Sequence, residues 1–387
     1  MLLSKDKTLR FLGENALLRV CGDLDGESRL DKADKTHEIA AGVLEDRRIS
    51  EEEALWLLAE GDLLILGEIA RRIAEKLHPE DAASYIIDRN INYTNICKSK
   101  CKFCAFYREE DSPEAYLLSK EEIFNKIRET VALHGTQIML QGGLHPELDI
   151  DYFTTLLLSI KREFDIDIHS FSPPEIAHIA EVSRLSIKKT LEKLRNAGLD
   201  SLPGGGAEIL VDHVRNKISP NKIDSGKWLQ VVEEAHKIGM KTTATMMLGS
   251  IESLEDRIDH LSKLRNLQDR TNGFRAFIPW TFQPGHTELG GDSVSSIDYL
   301  RTLAVSRLFL DNFANIQGSW VTQGQEVGQL TLSFGANDLG SIMIEENVVA
   351  ATGVAYKMSE DEMIQLINDT GRKAVKRNTG YEALEVH

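Results

Sequence analysis

Three of the four cysteines in this chain crowd into one octapeptide, Cys97-Lys98-Ser99-Lys100-Cys101-Lys102-Phe103-Cys104, and thiols so spaced read as metal ligands rather than a disulfide framework. A structural zinc site and a fully protein-ligated iron–sulfur cubane each take four protein ligands. Three cysteines leave one metal position open, and an open position separates a metal that meets a substrate or cofactor from one that only staples the fold. The competing reading is a zinc knuckle completed by a distant histidine or by Cys21.

Other segments with chemical potential follow. In Gln141-Gly142-Gly143-Leu144 the two glycines allow close backbone approach to a ligand. Leu202-Pro203-Gly204-Gly205-Gly206-Ala207-Glu208 bares backbone where a flat or extended ligand can lie. A phosphate loop is excluded there, since no Lys-Ser/Thr pair follows and no G-x-G-x-x-G spacing opens a helix. His169-Ser170-Phe171-Ser172-Pro173-Pro174-Glu175 gathers a titratable ring, hydroxyls and a carboxylate, which makes His169, Ser172 and Glu175 the candidate proton acceptor or substrate hydroxyl partner. Thr243 and Thr245 share one face of a strand by its period of two.

The elements that must position these groups change character along the chain. Residues 1–80 read as a helical segment: Ser50 and an acidic first turn open an apolar run at Ala54, a second helix spans Leu63 to Leu77, and residues 1–35 carry no clear signal. From about residue 84, short apolar runs alternate with amphipathic stretches, with strands expected at Tyr85–Tyr93, Gln137–Gln141, Asp167–Phe171, Ser201 with Glu208–Leu210, Thr242–Met247, Phe274–Pro279, Ala314–Trp320 and Leu330–Gly335. Such alternation implies parallel strands with helical crossovers, and about eight of them suit a closed (β/α)8 barrel over 81–340. A doubly wound sheet is the alternative; the polar motifs favour the barrel because they fall at the C-terminal ends of strands, where barrels place active sites. Residues 341–387 are expected as a C-terminal cap, with a helix from Glu360 to Lys376.

Composition narrows the function further. Asp plus Glu number 61 against 45 Lys plus Arg, a net charge of −16, so no basic field attracts nucleic acid or an anionic membrane. No stretch approaches the ~20 apolar residues of a membrane span, and the start lacks a signal-peptide core, so a cytoplasmic protein with reduced thiols is expected.

The C-x3-C-x2-C spacing with Phe103 before the last cysteine resembles the signature of radical S-adenosylmethionine (SAM) enzymes. The segments Ile91–Asn95, Cys104–Arg108, His169–Glu175, Leu202–Glu208, Ala244–Met247 and Gly273–Trp280 resemble, more closely, the cyclic dehypoxanthine futalosine synthase family of menaquinone biosynthesis. Aminofutalosine synthase and the cofactor-F420-type radical synthases are the nearest alternatives; Ser172–Glu175 and Pro279–Pro284 favour the first family.

The resemblance implies a 4Fe-4S cluster on Cys97, Cys101 and Cys104, with SAM on its open iron. Gln141, Gly142 and Gly143 would meet the SAM amino group through backbone, Glu208 its ribose hydroxyls, Arg215 its carboxylate and Phe103 its adenine. The substrate implied is dehypoxanthine futalosine, a ribose-derived sugar joined to a carboxyphenyl ketone, from which a 5'-deoxyadenosyl radical removes the C4' hydrogen before the carbon radical adds to the ring. Tyr93, Phe277 and Trp280 would wall that ring, and Thr245 and Thr287 would contact the substrate. His286 stands before Thr287 where the family suggests asparagine. A low-potential electron donor such as flavodoxin or ferredoxin would reduce the cluster.

Overall fold

The computed structural model describes residues 26–387 apart from Ala355, so Cys21 and the stretch before Gly26 lie outside the described residues. Three helices lead: α1 (Gly26–Leu44), α2 (Glu51–Glu60) and α3 (Leu63–Leu77). Ser50 and Glu53 close a capping box on α2, and the Asp62 carboxylate accepts the Leu64 and Ile65 amides to start α3, so both N-termini are satisfied locally.

The barrel follows. One strand position is split at Ile87 into β1 (Ala82–Ile86) and β2 (Asp88–Ile91). Then come α4 (Lys120–Ala132), β3 (Gln137–Leu140), α5 (Ile150–Glu163), β4 (Asp167–Ile168), α6 (Pro173–Val182), α7 (Ile187–Asn196), β5 (Ser201–Leu202), α8 (Asp212–Ile218), α9 (Ser225–Lys237), β6 (Lys241–Leu248), α10 (Leu254–Thr271), β7 (Phe274–Thr281), α11 (Ser296–Phe309), β8 (Asn315–Ile316), α12 (Gln325–Thr331) and β9 (Asp338–Ser341). The strands pair in parallel as β2-β3-β4 and β5-β6-β7-β8, and β9 pairs with β1. Parallel bridges from His169 to Ser201 and from Gln317 to Asp338 join these arcs, so the eight strand positions close into a ring. Helices α2 and α3 pack on α10 and α11, outside that ring.

Beyond the barrel lie α13 (Asn347–Ala350), α14 (Glu360–Asn368), β10 (Lys373–Arg377) and β11 (Ala383–Val386). β10 pairs in parallel with β1, at the N-terminal end of the first strand position, and so underlies the barrel floor.

Four expectations change. Leu330–Gly335 is no strand: α12 runs into a 3-10 turn over Leu332–Phe334 that Gly335 ends at φ +98°, and the Phe334 ring fills the space left by the missing side chain of Gly67. The eighth strand is instead β9, whose Asp-Leu-Gly-Ser sequence has little strand propensity and is held by its buried partners. Glu208–Leu210 is loop, where Glu208 sits at φ +42°. The helix expected to reach Lys376 stops at Asn368, because Gly371 turns the chain at φ +82° into β10, so the C-terminal cap is helix plus strand.

Candidate active site

The cysteine loop leaves β2 and crosses the mouth of the barrel. Its backbone is tied at both flanks: the Cys97 amide donates to the Arg108 carbonyl (3.1 Å), the Lys98 amide to the Leu144 carbonyl (3.1 Å) and the Lys102 amide to the Ile218 carbonyl (2.8 Å). Gly143 makes room for it, since a side chain there would put a Cβ 2.1 Å from the Ile96 carbonyl oxygen and 2.9 Å from the Cys97 Cβ. Gly142 likewise lies flat against the ring of Tyr93, 2.6 Å from where a Cβ would stand.

Cys97, Cys101 and Cys104 are all free thiols, with Cys101 buried. Burial pushes the Cys101 thiol up to about 11 and also raises Cys104. Thiols so buried become thiolates when cations come within reach, and a bound metal supplies that charge. No three His, Cys, Asp or Glu side chains among the described residues converge on a single ion position. Three soft thiol donors on one loop have the chemistry and number that suit an iron–sulfur cluster with one open iron.

Beneath the loop the barrel encloses a cavity of about 330 Å³, lined on one side by Gln141, His169, Glu208, Thr243 and Thr245 and on the other by Ile278, Trp280, Ser319, Met343 and Glu346. Glu208 is nearly fully buried; its Oε1 takes the Lys222 ammonium at 3.2 Å, while Oε2 accepts no hydrogen bond. Glu208 lines the cavity, and this orphaned oxygen, 3.6 Å from the Arg215 guanidinium, suits the hydroxyls of a ribose. Lys222 also stands 5.0 Å above the Phe103 ring and acts on Cys101 through its charge, so it links the loop to the cavity.

Several expected site residues have other duties. All five N–H groups of Arg215 point at backbone carbonyls, two at Ile223 and one each at Gly206, Ala207 and Ile209, which leaves none for a SAM carboxylate. Arg215 instead clamps the glycine-rich loop. That loop needs its glycines for packing: a Cβ on Gly204 would meet Ala244 Cα at 2.8 Å, and Gly206, at φ +74°, faces Pro174. Ser172 and Glu175 form the capping box of α6, with Ser172 Oγ donating to Glu175 Oε2 at 2.6 Å. Glu175 Oε1 accepts the Tyr93 hydroxyl (2.8 Å) and the Gly142 amide (3.0 Å). Neither Ser172 nor Glu175 lines the cavity, and Tyr93 packs into the core against Phe153 and Phe171.

Phe277 faces the helical layer, in contact with Phe313; Ile278 and Trp280, two apart on β7, line the cavity in its place. Thr287 Oγ1 donates to the Pro284 carbonyl and accepts the Gly290 amide in a loop outside the cavity. His169 does line it, but burial lowers its ring to about 3 and Ser201 Oγ lies 2.7 Å from Nδ1, so it is neutral. Thr245 lines the cavity and donates to the Gly204 carbonyl at 2.7 Å.

Sequence reasoning missed Lys222, Arg275, Arg377, Asp88, Asn90 and Glu346. Asp88 and Asn90 were accessible through strand parity, being two apart on β2 and both lining the cavity. Nothing local in the sequence distinguishes Lys222 or Glu346 from other surface charges.

Comparison with known proteins accords with this arrangement. Residues 91–264 match the Radical SAM superfamily and residues 271–387 the CofH/MqnC C-terminal region. The chain is 46% identical over 349 residues to the cyclic dehypoxanthine futalosine synthase of Halalkalibacterium halodurans, covering 89% of this chain and 94% of that one. To the enzyme of the same name from Streptomyces coelicolor it is 45% identical, covering 88% and 86%. A 5-amino-6-(D-ribitylamino)uracil–L-tyrosine 4-hydroxyphenyl transferase of Methanococcus maripaludis is 39% identical over 81% of this chain and 92% of its own. Among solved structures, the FeFe-hydrogenase maturase HydG from Carboxydothermus hydrogenoformans superposes with a TM-score of 0.72 at 18% identity, over 92% of this chain and 82% of that one. Methylornithine synthase (PylB) gives 0.69 at 20% identity, over 86% and 96%. These two share the barrel. The open three-thiol loop over a closed barrel and the two futalosine relatives lead to one assignment: the chain belongs to the radical SAM superfamily and, within it, to the cyclic dehypoxanthine futalosine synthase family.

Proposed function

We propose that this enzyme closes the ring of dehypoxanthine futalosine to give cyclic dehypoxanthine futalosine, a step of menaquinone biosynthesis. The observation that carries the reading is the three-cysteine loop over a cavity of about 330 Å³ in a chain 46% identical to a synthase of that name. Cys97, Cys101 and Cys104 would hold a 4Fe-4S cluster, and Glu208, with its free oxygen, the ribose of SAM. When bound, the cluster and SAM supply the 5'-deoxyadenosyl radical that takes the sugar's C4' hydrogen.

The chain's own contribution is geometric and protic. Lys222 and Arg215 fix the walls against which the cofactor lies, one through Glu208 and the other through the glycine loop. Trp280, Ile278 and Met343 give the aromatic ring an apolar wall and exclude water. Aromaticity returns when the ring loses one electron, for which the oxidised cluster would be the acceptor, and one proton, for which Glu346 is the cavity carboxylate suited. Its Oε1 is held by the Val348 and Val349 amides (2.7 and 2.9 Å), and burial raises its pKa above the ordinary 4.5, toward the working pH. A small low-potential electron-transfer protein such as flavodoxin or ferredoxin would deliver the reducing electron.

The test is anaerobic. Protein reconstituted with iron and sulfide receives dithionite, SAM and dehypoxanthine futalosine, and mass spectrometry follows 5'-deoxyadenosine and substrate. A product lighter than substrate by two hydrogen atoms, absent with Cys97→Ala, establishes the cyclase. Deoxyadenosine formed while the substrate stays intact would move the activity elsewhere in the superfamily.

A further inference from the structure

The floor of the cavity carries an unbalanced positive charge. Two arginines stand there, Arg275 on β7 and Arg377 on β10. Arg377 is neutralised by a bidentate pair with Asp338, Nε to Oδ2 at 2.5 Å and Nη2 to Oδ1 at 2.9 Å, and its guanidinium stacks 3.8 Å over the Tyr381 ring. Among the described residues Arg275 has no such partner. Its Nη1 donates to the Thr379 carbonyl at 3.0 Å, while Asp167 and Asp200 act on it only through space. Asp88, the remaining floor carboxylate, is bound to Gln137 Nε2 at 2.6 Å and pushed toward its neutral form by burial.

A guanidinium in a cavity with unspent donors in a planar fork is a receptor for a carboxylate. Its position gives the ligand a direction. Arg275 lies near the start of β7 and Trp280 near its end, about 16 Å apart along the strand. Between them Ile86, Met139 and Ile278 make an apolar sleeve, and at the mouth Glu208 is already paired with Lys222, so Arg275 is the cavity cation left without an ionic partner among the described residues. A molecule with one anionic aromatic end and one neutral hydroxylated end is thus oriented along the barrel axis by the cation at its floor.

We propose that Arg275 anchors the aryl carboxylate of the substrate at the barrel floor, so that the sugar end stands at the mouth beneath the cysteine loop. This rests on the function proposed above, and it makes Arg275 a determinant of specificity: an analogue whose carboxylate is replaced by hydrogen loses the floor contact and the orientation together.

The test compares reconstituted wild-type, Arg275→Met and Arg275→Lys enzymes on dehypoxanthine futalosine and on its decarboxylated analogue, with iron content and SAM affinity measured alongside. Arg275→Met should raise KM for the full substrate by about 30-fold, the factor carried by one charge-assisted pair of hydrogen bonds. For the analogue, wild type and variant should share one KM. Arg275→Lys, which keeps the charge without the fork, should fall between, and it guards against a variant that simply misfolds. Wild-type KM for the full substrate in folded Arg275→Met overturns the anchor. Should the wild type turn over neither compound, the proposed function fails instead, and calorimetric titration with benzoate decides the anchor by itself: binding to wild type that Arg275→Met abolishes supports it, equal binding or none sinks it.

Discussion

The Lys222 ammonium and the Glu208 carboxylate, 3.2 Å apart and both largely shielded from water, form an ion pair that joins the cysteine loop to the cavity wall. Removing the cation leaves a buried carboxylate with Arg215 3.6 Å away as its remaining charge partner, too far for a hydrogen bond. Lys222→Met should therefore lower stability by about 3 kcal/mol and weaken SAM binding at least about tenfold. Chemical denaturation and equilibrium dialysis with SAM measure the two effects; unchanged SAM affinity in a folded variant would separate Glu208 from the cofactor.

Gly143→Ala should act on the cluster rather than on the barrel. The added methyl meets the Ile96 carbonyl and Cys97 at the start of the thiol loop, not a flexible side-chain tip. Reconstituted iron and sulfide content should drop well below wild type while the thermal unfolding midpoint changes little. A full complement of iron would show that the loop tolerates displacement.

Glu175→Ala should be a stability variant. It removes the acceptor for Tyr93, the Gly142 amide and the Ser172 hydroxyl at once, leaving buried donors unpaired, at a cost of about 3 kcal/mol. Tyr93→Phe, which removes one donor, should cost about 1 kcal/mol. A role in proton transfer would instead show as lost turnover in Glu175→Gln with stability intact.

Acid sensitivity should come from histidines held neutral. Burial lowers His169 and His260 to about 3 and His236 to about 4, each from an ordinary 6.5. A depressed folded value means that the unfolded chain binds the proton first, so these groups contribute stability above about pH 6.5 that is lost progressively as the pH falls toward 4. His236, whose ring nitrogens contact Thr271 and Thr242 hydroxyls at 2.7 and 2.9 Å, gives the accessible test. His236→Gln should be less stable at neutral pH and show a shallower fall in denaturation free energy between pH 6.5 and 5. A slope identical to wild type would assign the acid sensitivity to other groups.

Glu346→Gln should lower turnover with little change in KM, since the amide keeps the hydrogen bonds from Val348 and Val349 but cannot take a proton. In the wild type, activity should fall on the acid side with an apparent pKa above 4.5, because the base works only when ionised and burial favours its neutral form. Retention of that acid limb in Glu346→Gln would place the acceptor elsewhere.

What the sequence revealed divides along physical lines. The thiol loop was legible because ligand spacing is local, and β3, β6 and β7 because their apolar runs are long or β-branched. β9 was hidden because Asp338 and Gly340 enter a strand only when tertiary partners hold them, here Arg377 and β1. Phe277 was expected beside Trp280, but three residues apart on one regular stretch of strand the two fall on opposite faces, and Ile278 shares the cavity face with Trp280. Arg215 illustrates a further limit: residue type foretold a bidentate fork, but only the fold shows that four carbonyls already occupy its five donors.

β10 sits beneath the barrel, paired with the first strand though it follows every other barrel element in the chain. During synthesis the cysteine loop emerges early, whereas the floor under the cavity is delivered only after β9 has been made. Until then the nascent barrel is a tube open to water at its base, with Asp338 awaiting Arg377. A protein truncated before Lys373 should therefore still acquire iron while leaking solvent into the place where a radical has to be kept dry.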